Sequence, residues 1–251
     1  LWWQGESDTY NTQIVNEYER KLVELINTTR KDLKAPDLPF YAVQLSTYGN
    51  GGSNDGALRW NQVQDIQRTV FERTKNSNLV ASLDMPKINA HLTTLGYKAV
   101  GHRLAKVVAI EVYGDEQLLV GPRLSGITRF KSLHGDGLKL HFEGVNASLM
   151  AKPRVSGFSL QRKGNDKELP VCNMEIDVDS PTDILIHTSV KFSDYPEGVE
   201  LWYGRGAAPF CNVTDGEDMA LVMFGPIMIS FKPDSPYEVL QKKSWISSFL
   251  E

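Results

Sequence analysis

Two short stretches hold the side chains whose types and order suit chemistry. Gln4-Gly5-Glu6-Ser7-Asp8 follows three large apolar residues, Leu1-Trp2-Trp3, and Asp84-Met85-Pro86-Lys87-Ile88-Asn89-Ala90-His91 follows a second apolar run that begins at Asn78. His91 stands out, because an imidazole titrates close to neutrality and can accept the proton of a hydroxyl nucleophile. The plainer alternative is a histidine that packs or caps at the helix start Leu92-Thr93-Thr94-Leu95-Gly96-Tyr97. Gln4 offers an amide N–H to a developing oxyanion if its loop turns the side chain inward. Ser7 is a poor nucleophile candidate: a nucleophile elbow needs glycine where Thr9 stands, so Ser7 reads as a residue beginning a helix. His102, His134, His141 and His187 read as structural or surface residues.

The elements that must position these loops follow from periodicity. Ile14, Tyr18, Leu22 and Leu25 recur at spacings of four, four and three, which marks one helix face. Trp60, Val63, Ile66 and Val70 predict a second helix, and Tyr97, Val100, Leu104 and Val107 a third. Between them lie two buried strands, Leu38 to Leu45 and Asn78 to Asp84, with a Gly/Ser/Asn-rich loop from Tyr48 to Gly56. Alternating strands and helices predict an open, largely parallel sheet covered on both faces. Ligands of such sheets bind at the carboxyl ends of the strands, where both polar loops would lie. After about Val120 the helical spacing disappears. Short runs such as Leu138 to Phe142 and Val199 to Tyr203, separated by Gly, Pro, Asn and Asp, predict an antiparallel β-sandwich. The expected division is 1–118 for the α/β part and 119–251 for the sandwich.

Composition bounds the function. The 251 residues are 41% hydrophobic and 23% charged, enough for a sizeable core, with a net charge of −4. That balance argues against nucleic acid as a partner, since a phosphate backbone demands clustered Lys and Arg. No run approaches the roughly 18 apolar residues of a membrane helix. Cys172 and Cys211 are the only cysteines, and without a CxxC pair or Cys/His cluster a zinc site is not expected. They are either two buried thiols or one disulfide of an exported protein. Asn27, Asn146 and Asn212 each begin an N-glycosylation pattern.

At these residues a resemblance becomes specific. Trp2-Trp3-Gln4-Gly5-Glu6-Ser7-Asp8 resembles the W-[WY]-Q-G-E-S-[ND] signature of the sialate O-acetylesterase family within the SGNH hydrolases. His91 to Ala105 resembles the catalytic-histidine block of those hydrolases, closing in V-G-x-R-L-A at Val100 to Ala105. Phe40 to Leu45 and Arg59 to Gln62 fit the family order, and Leu201 to Gly206, Pro209 and Asn212 resemble a strand of its C-terminal β-domain. The resemblance implies a partial SGNH-type (flavodoxin-like) sheet with helices on both faces, followed by the sandwich. It also implies an activity: hydrolysis of acetyl esters on sialic acid or another glycan by a serine-esterase route that needs neither metal nor organic cofactor.

Two departures from the family pattern matter. The family's nucleophilic serine lies in a G-Q-S-N block far upstream of the tryptophan-glutamine strand, and no such block occurs in this sequence. The chain therefore reads as the C-terminal portion of a longer hydrolase, its serine supplied by an N-terminal segment or by a second chain. The family also places an aspartate three residues before the histidine, where this sequence has Ile88. Either Asp84 folds back to orient His91, or a backbone carbonyl near Asn89 does so and leaves a Ser-His dyad. The expected site is thus His91 and Asp84 for proton transfer, with Gln4, Gly5 and Glu6 around the oxyanion. A rival reading is an inactive esterase remnant that binds glycan or protein. The family further implies a secreted or lumenal location (extracellular, periplasmic or lysosomal).

Overall fold

The computed structural model describes residues 1–49, 53–88, 91–164 and 167–230. Its first half is built on a narrow parallel sheet. Strand β1 (Phe40–Val43) pairs in parallel with β2 (Ser77–Val80). On the other side of β1 the chain start pairs in parallel through Trp2 and Ala42, with Trp2 N donating to Tyr41 O at 2.8 Å and Val43 N to Trp2 O at 3.0 Å. The strands are shorter than the apolar runs suggested, because the residues after Val43 and Val80 turn away to build loops at the carboxyl edge.

Helices cover both faces. Helix α1 (Thr12–Asp32) is capped by Asn11, whose side chain accepts from Ile14 N at 2.9 Å. Ser7 therefore does not begin this helix; it lies exposed in a 3₁₀ turn, Glu6–Thr9. The buried face of α1 is Val15, Tyr18, Leu22 and Ile26, rotated slightly from the expected Ile14–Leu25 stripe. With α2 (Asn54–Arg73) it packs on the face carrying Phe40, Ala42, Leu79 and Ala81. Helix α3 (Thr94–Glu111) covers the opposite face, which carries Tyr41, Val43 and Val80. The alternation along β1 and β2 is what divides the two cores. Between β2 and α3, β3 (Lys87–Ile88) and β4 (His91–Leu92) form a small antiparallel ribbon.

The second half is antiparallel throughout. Strands β5 (Arg123–Lys131) and β6 (Asp136–Glu143) form a hairpin. A short β7 (Leu149–Met150), then β8 (Phe158–Arg162), β9 (Val171–Ile176), β10 (Asp183–Thr188) and β11 (Val199–Tyr203) follow. The last two are β12 (Thr214–Asp215) and β13 (Phe224–Ile229). One sheet has the order β5-β6-β10-β9 and the other β13-β11-β8, while β12 pairs with β7. Leu138, Leu140, Ile184 and Ile186 of the first sheet meet Leu160, Val199 and Leu201 of the second in one core. Period-two burial with polar residues on the outer face is the signature of a sandwich.

The halves interlock. Leu83, just past β2, is buried in the sandwich core. Met219 packs with the α3 face, and Ala220 and Val222 with the α1–α2 face. Gln44 joins them by its side chain: Nε2 donates to Gln64 O and Met223 O, each at 2.9 Å, and Oε1 accepts from Met223 N at 2.7 Å.

Of the two readings of the cysteines, the disulfide does not form and the buried thiol holds for Cys211 alone. Cys172 is exposed on β9, an outer strand of its sheet, whereas Cys211 is buried in the sandwich core, and both are free thiols. Two of the glycosylation patterns are also structurally committed. Asn146 is buried and its Nδ2 donates to Leu119 O and Asp215 Oδ2. Asn212 Nδ2 donates to Lys152 O and Arg154 O. A glycan on either nitrogen would replace one of its two hydrogens and so break one of these bonds. Asn27 stands exposed on α1.

Candidate functional site

The loops after the tryptophan strand, β1 and β2 all leave the same, carboxyl edge of the parallel sheet. The first and last flank the β1 loop rather than leaving neighbouring strands. Trp3, next to Gln4, and Leu92, next to His91, share one apolar cluster with Met85. The ring of Trp3 also meets the edge of Tyr97 in the first turn of α3, with centroids 5.5 Å apart. The structure therefore brings the Gln4 and His91 loops together at one edge.

Gly5 is the hinge of the first loop. Its φ of +147° is one that side-chain-bearing residues rarely adopt, and a Cβ there would stand 3.1 Å from both Tyr18 Oη and Val63. That close approach lets Tyr18 Oη and Gln67 Nε2 both donate to Gln4 O, at 3.1 and 2.9 Å. Burial pushes the Tyr18 phenol up to about 12, so it stays a donor. The Gln4 side chain donates from Nε2 to Asp8 Oδ2. Its second amide hydrogen has no acceptor among the described residues. Glu6 is exposed, and its backbone oxygen accepts from Thr9 Oγ1 at 2.7 Å.

His91 is exposed at the start of β4, paired with Ile88 across the ribbon. Among the described residues its ring has no hydrogen-bond partner. Thr93 caps α3, its Oγ1 accepting from Gly96 N at 3.2 Å, while its own N–H donates to Pro86 O at 2.9 Å. This fixes the direction in which the chain leaves His91. Asn89, whose carbonyl was one candidate to orient the ring, lies outside the described residues.

Asp84 has a different partner from the one proposed for it. Its two carboxylate oxygens accept from Nη1 and Nη2 of Arg103, both at 2.7 Å. Arg103 is 1% exposed and also donates to Ala81 O, Asp218 O and Asp218 Oδ1. Burial opposes the guanidinium charge, but Asp84 and Asp218 outweigh it and hold the Arg103 pKa above its ordinary value. A bidentate pair is geometrically demanding, and it fixes Asp84 at the root of the loop rather than at the His91 ring.

Three positioning features escaped the sequence reading. The first is Arg103 itself, although it is the arginine of the V-G-x-R-L-A block. The second is Lys87, which donates to Thr47 O and to Thr47 Oγ1 at 2.9 Å, tying the ribbon to the β1 loop. Burial lowers its pKa. The third is a row of buried amides one helical turn apart on α2. Asn61 donates to Gln64 Oε1, Gln64 to Leu45 O and Ser46 O, and Gln67 to Gln4 O. The i, i+3, i+6 spacing was the available signal, hidden because polar residues in a helix usually mark its wet face.

A short parallel sheet between helices, with an antiparallel sandwich interlocked behind it, is the fold of a known carbohydrate acetylesterase from Xanthomonas citri. The two chains superpose with a TM-score of 0.67 at 22% identity, over 89% of this chain and 49% of that one. Residues 1–110 match the family described as carbohydrate esterase, sialic acid-specific acetylesterase. A protein of Arabidopsis thaliana described as a probable carbohydrate esterase is 32% identical over 110 residues, 42% of this chain and 38% of that protein. The chain thus spans about half or less of the length of these relatives.

Proposed function

We propose that this chain supplies the histidine-bearing part of a carbohydrate O-acetylesterase that removes acetyl groups from sialic acid or another glycan, the nucleophilic serine lying outside these 251 residues. The serine oxygen attacks the acetyl carbonyl while His91 takes its proton. The tetrahedral oxyanion is held by the free N–H of Gln4 and by backbone N–H groups. His91 then protonates the leaving sugar oxygen and activates the water that releases acetate. With Asp84 committed to Arg103, the imidazole works without a carboxylate partner, as a dyad. The observation that carries this reading is the shared carboxyl edge of the Gln4 and His91 loops in a segment that matches a carbohydrate esterase family. The family also suggests a secreted or lumenal setting.

Acetate release from O-acetylated glycans by the protein that contains this chain tests the proposal. His91→Ala is expected to lower kcat by about 10²–10⁴-fold. A fluorophosphonate probe should label a serine outside residues 1–251, and residues 1–251 alone should be nearly inert. Labelling of Ser7, or a near-normal rate in His91→Ala, would sink the mechanism. The inactive-remnant reading draws on Ile88 and on the Asp84–Arg103 pair; it requires that the longer protein release no acetate at all.

A further inference from the structure

The opposite edge of the parallel sheet carries a second feature, independent of the esterase reading. A cleft of about 190 Å³ lies where the start of β2, the last turns of α2 and the connection into β5 meet. At the roughly 30 Å³ that a water occupies, it has room for about six waters, and so for a small organic molecule. Its lining combines hydrocarbon from Phe71, Leu79, Val120 and Val222 with polar and charged side chains, Ser77, Asn78, Glu72, Arg68 and Arg123.

The two arginines differ in their partners. Arg68 is neutralised, with Asp65 and Glu72 each at 2.8 Å. Arg123 forms no ion pair among the described residues. Its Nη1 donates to Pro122 O at 3.0 Å, and its Nη2 to Asn78 Oδ1 at 2.9 Å and Leu79 O at 2.7 Å. A guanidinium has five N–H donors, so the Nε–H and one Nη1 hydrogen have no acceptor among the described residues. Arg123 is half-buried and lines the cleft, so an anion bound there would meet these spare donors in charge-assisted hydrogen bonds.

The geometry points to a binding site for a small organic monocarboxylate, its carboxylate on the free N–H groups of Arg123 and its hydrocarbon end against Phe71, Leu79 and Val222. Glu72 lines the same cleft, and its charge disfavours a second negative charge on the ligand. A phosphate or sulfate would set polar oxygens against the hydrocarbon part of the lining, Phe71, Leu79 and Val222. A two- to four-carbon acid offers a carboxylate to Arg123 and a hydrocarbon end to the apolar side chains.

Titration of the isotope-labelled full chain with propionate, followed by amide chemical shifts and compared with inorganic phosphate, tests this. Saturable shifts confined to residues 68–79, 120–123 and 222, with propionate bound at least fivefold more tightly than phosphate, are expected. Arg123→Met should weaken propionate binding at least tenfold. Should Arg123→Met fail to fold, Val120→Glu decides, because it supplies an internal carboxylate to the cleft and leaves Arg123 in place. It too should weaken binding at least tenfold, without lowering the melting temperature. Absence of saturable shifts, phosphate binding as tight as propionate, or undiminished propionate binding in Val120→Glu would each overturn the assignment.

Discussion

At the residue scale, the pair Asp84–Arg103 has the clearest consequence. The Asp84 side chain is 12% exposed and the Arg103 side chain 2%, so removing the negative partner leaves a buried cation. The remaining acceptors are two oxygens of Asp218, whose side chain is largely exposed, and one backbone carbonyl. Asp84→Asn is expected to lower stability by about 3 kcal/mol, read as a shift of the urea midpoint at unchanged slope. The thiols give a second test at this scale. Burial pushes the Cys211 thiol pKa up and removes it from reagent, while Cys172 is exposed. One thiol should therefore titrate rapidly in the native protein and two in urea, with no reductant added. No reaction in urea before reductant would restore the disulfide.

At the element scale, the β5–β6 hairpin is held to the turn after β10 by one buried carboxylate. Asp136 Oδ2 accepts from Phe192 N at 2.7 Å and Oδ1 from Lys131 Nζ, while Asp136 O accepts from Thr188 Oγ1 at 2.6 Å. Burial by itself would raise the Asp136 pKa, but the Lys131 and Phe192 donors outweigh it and lower the pKa from its ordinary value. A carboxylate whose folded pKa is depressed contributes stability above its unfolded pKa and loses that contribution as pH falls through the folded value. Asp136→Asn should accordingly cost about 1–2 kcal/mol at pH 7. The urea midpoints of variant and parent should converge below about pH 4. Parallel midpoint curves across that window would show that the charge on Asp136 contributes nothing.

At the scale of the whole molecule, the interlocked segments decide how it unfolds. Met219, Ala220 and Val222 complete both cores of the α/β half, Leu83 enters the sandwich, and Gln44 makes three hydrogen bonds across or beside the seam. A single calorimetric transition is expected, with calorimetric and van't Hoff enthalpies equal. Gln44→Leu should lower its midpoint by about 2–4 kcal/mol of lost stability, since it strands buried backbone groups of Met223. Two resolved transitions in the parent protein would show that the halves do not depend on each other.

Local pattern was enough to read much of this molecule. Helix and strand order, the sandwich and the two loops at the carboxyl edge all follow from periodicities of 3.6 and 2, which short-range sterics impose on any chain that buries one face. The resemblance in residues 2–8 and 91–105 likewise needed only adjacent residues. What the sequence left open depends on partners far apart in the chain. Arg103 finds Asp218 across 115 positions, and Gln44 finds Met223 across 179. Asp84 pairs with an arginine 19 residues on rather than with the histidine seven residues on. Such choices are settled by the cost of leaving a buried charge or amide unmatched, and only the packed chain determines which groups are buried together.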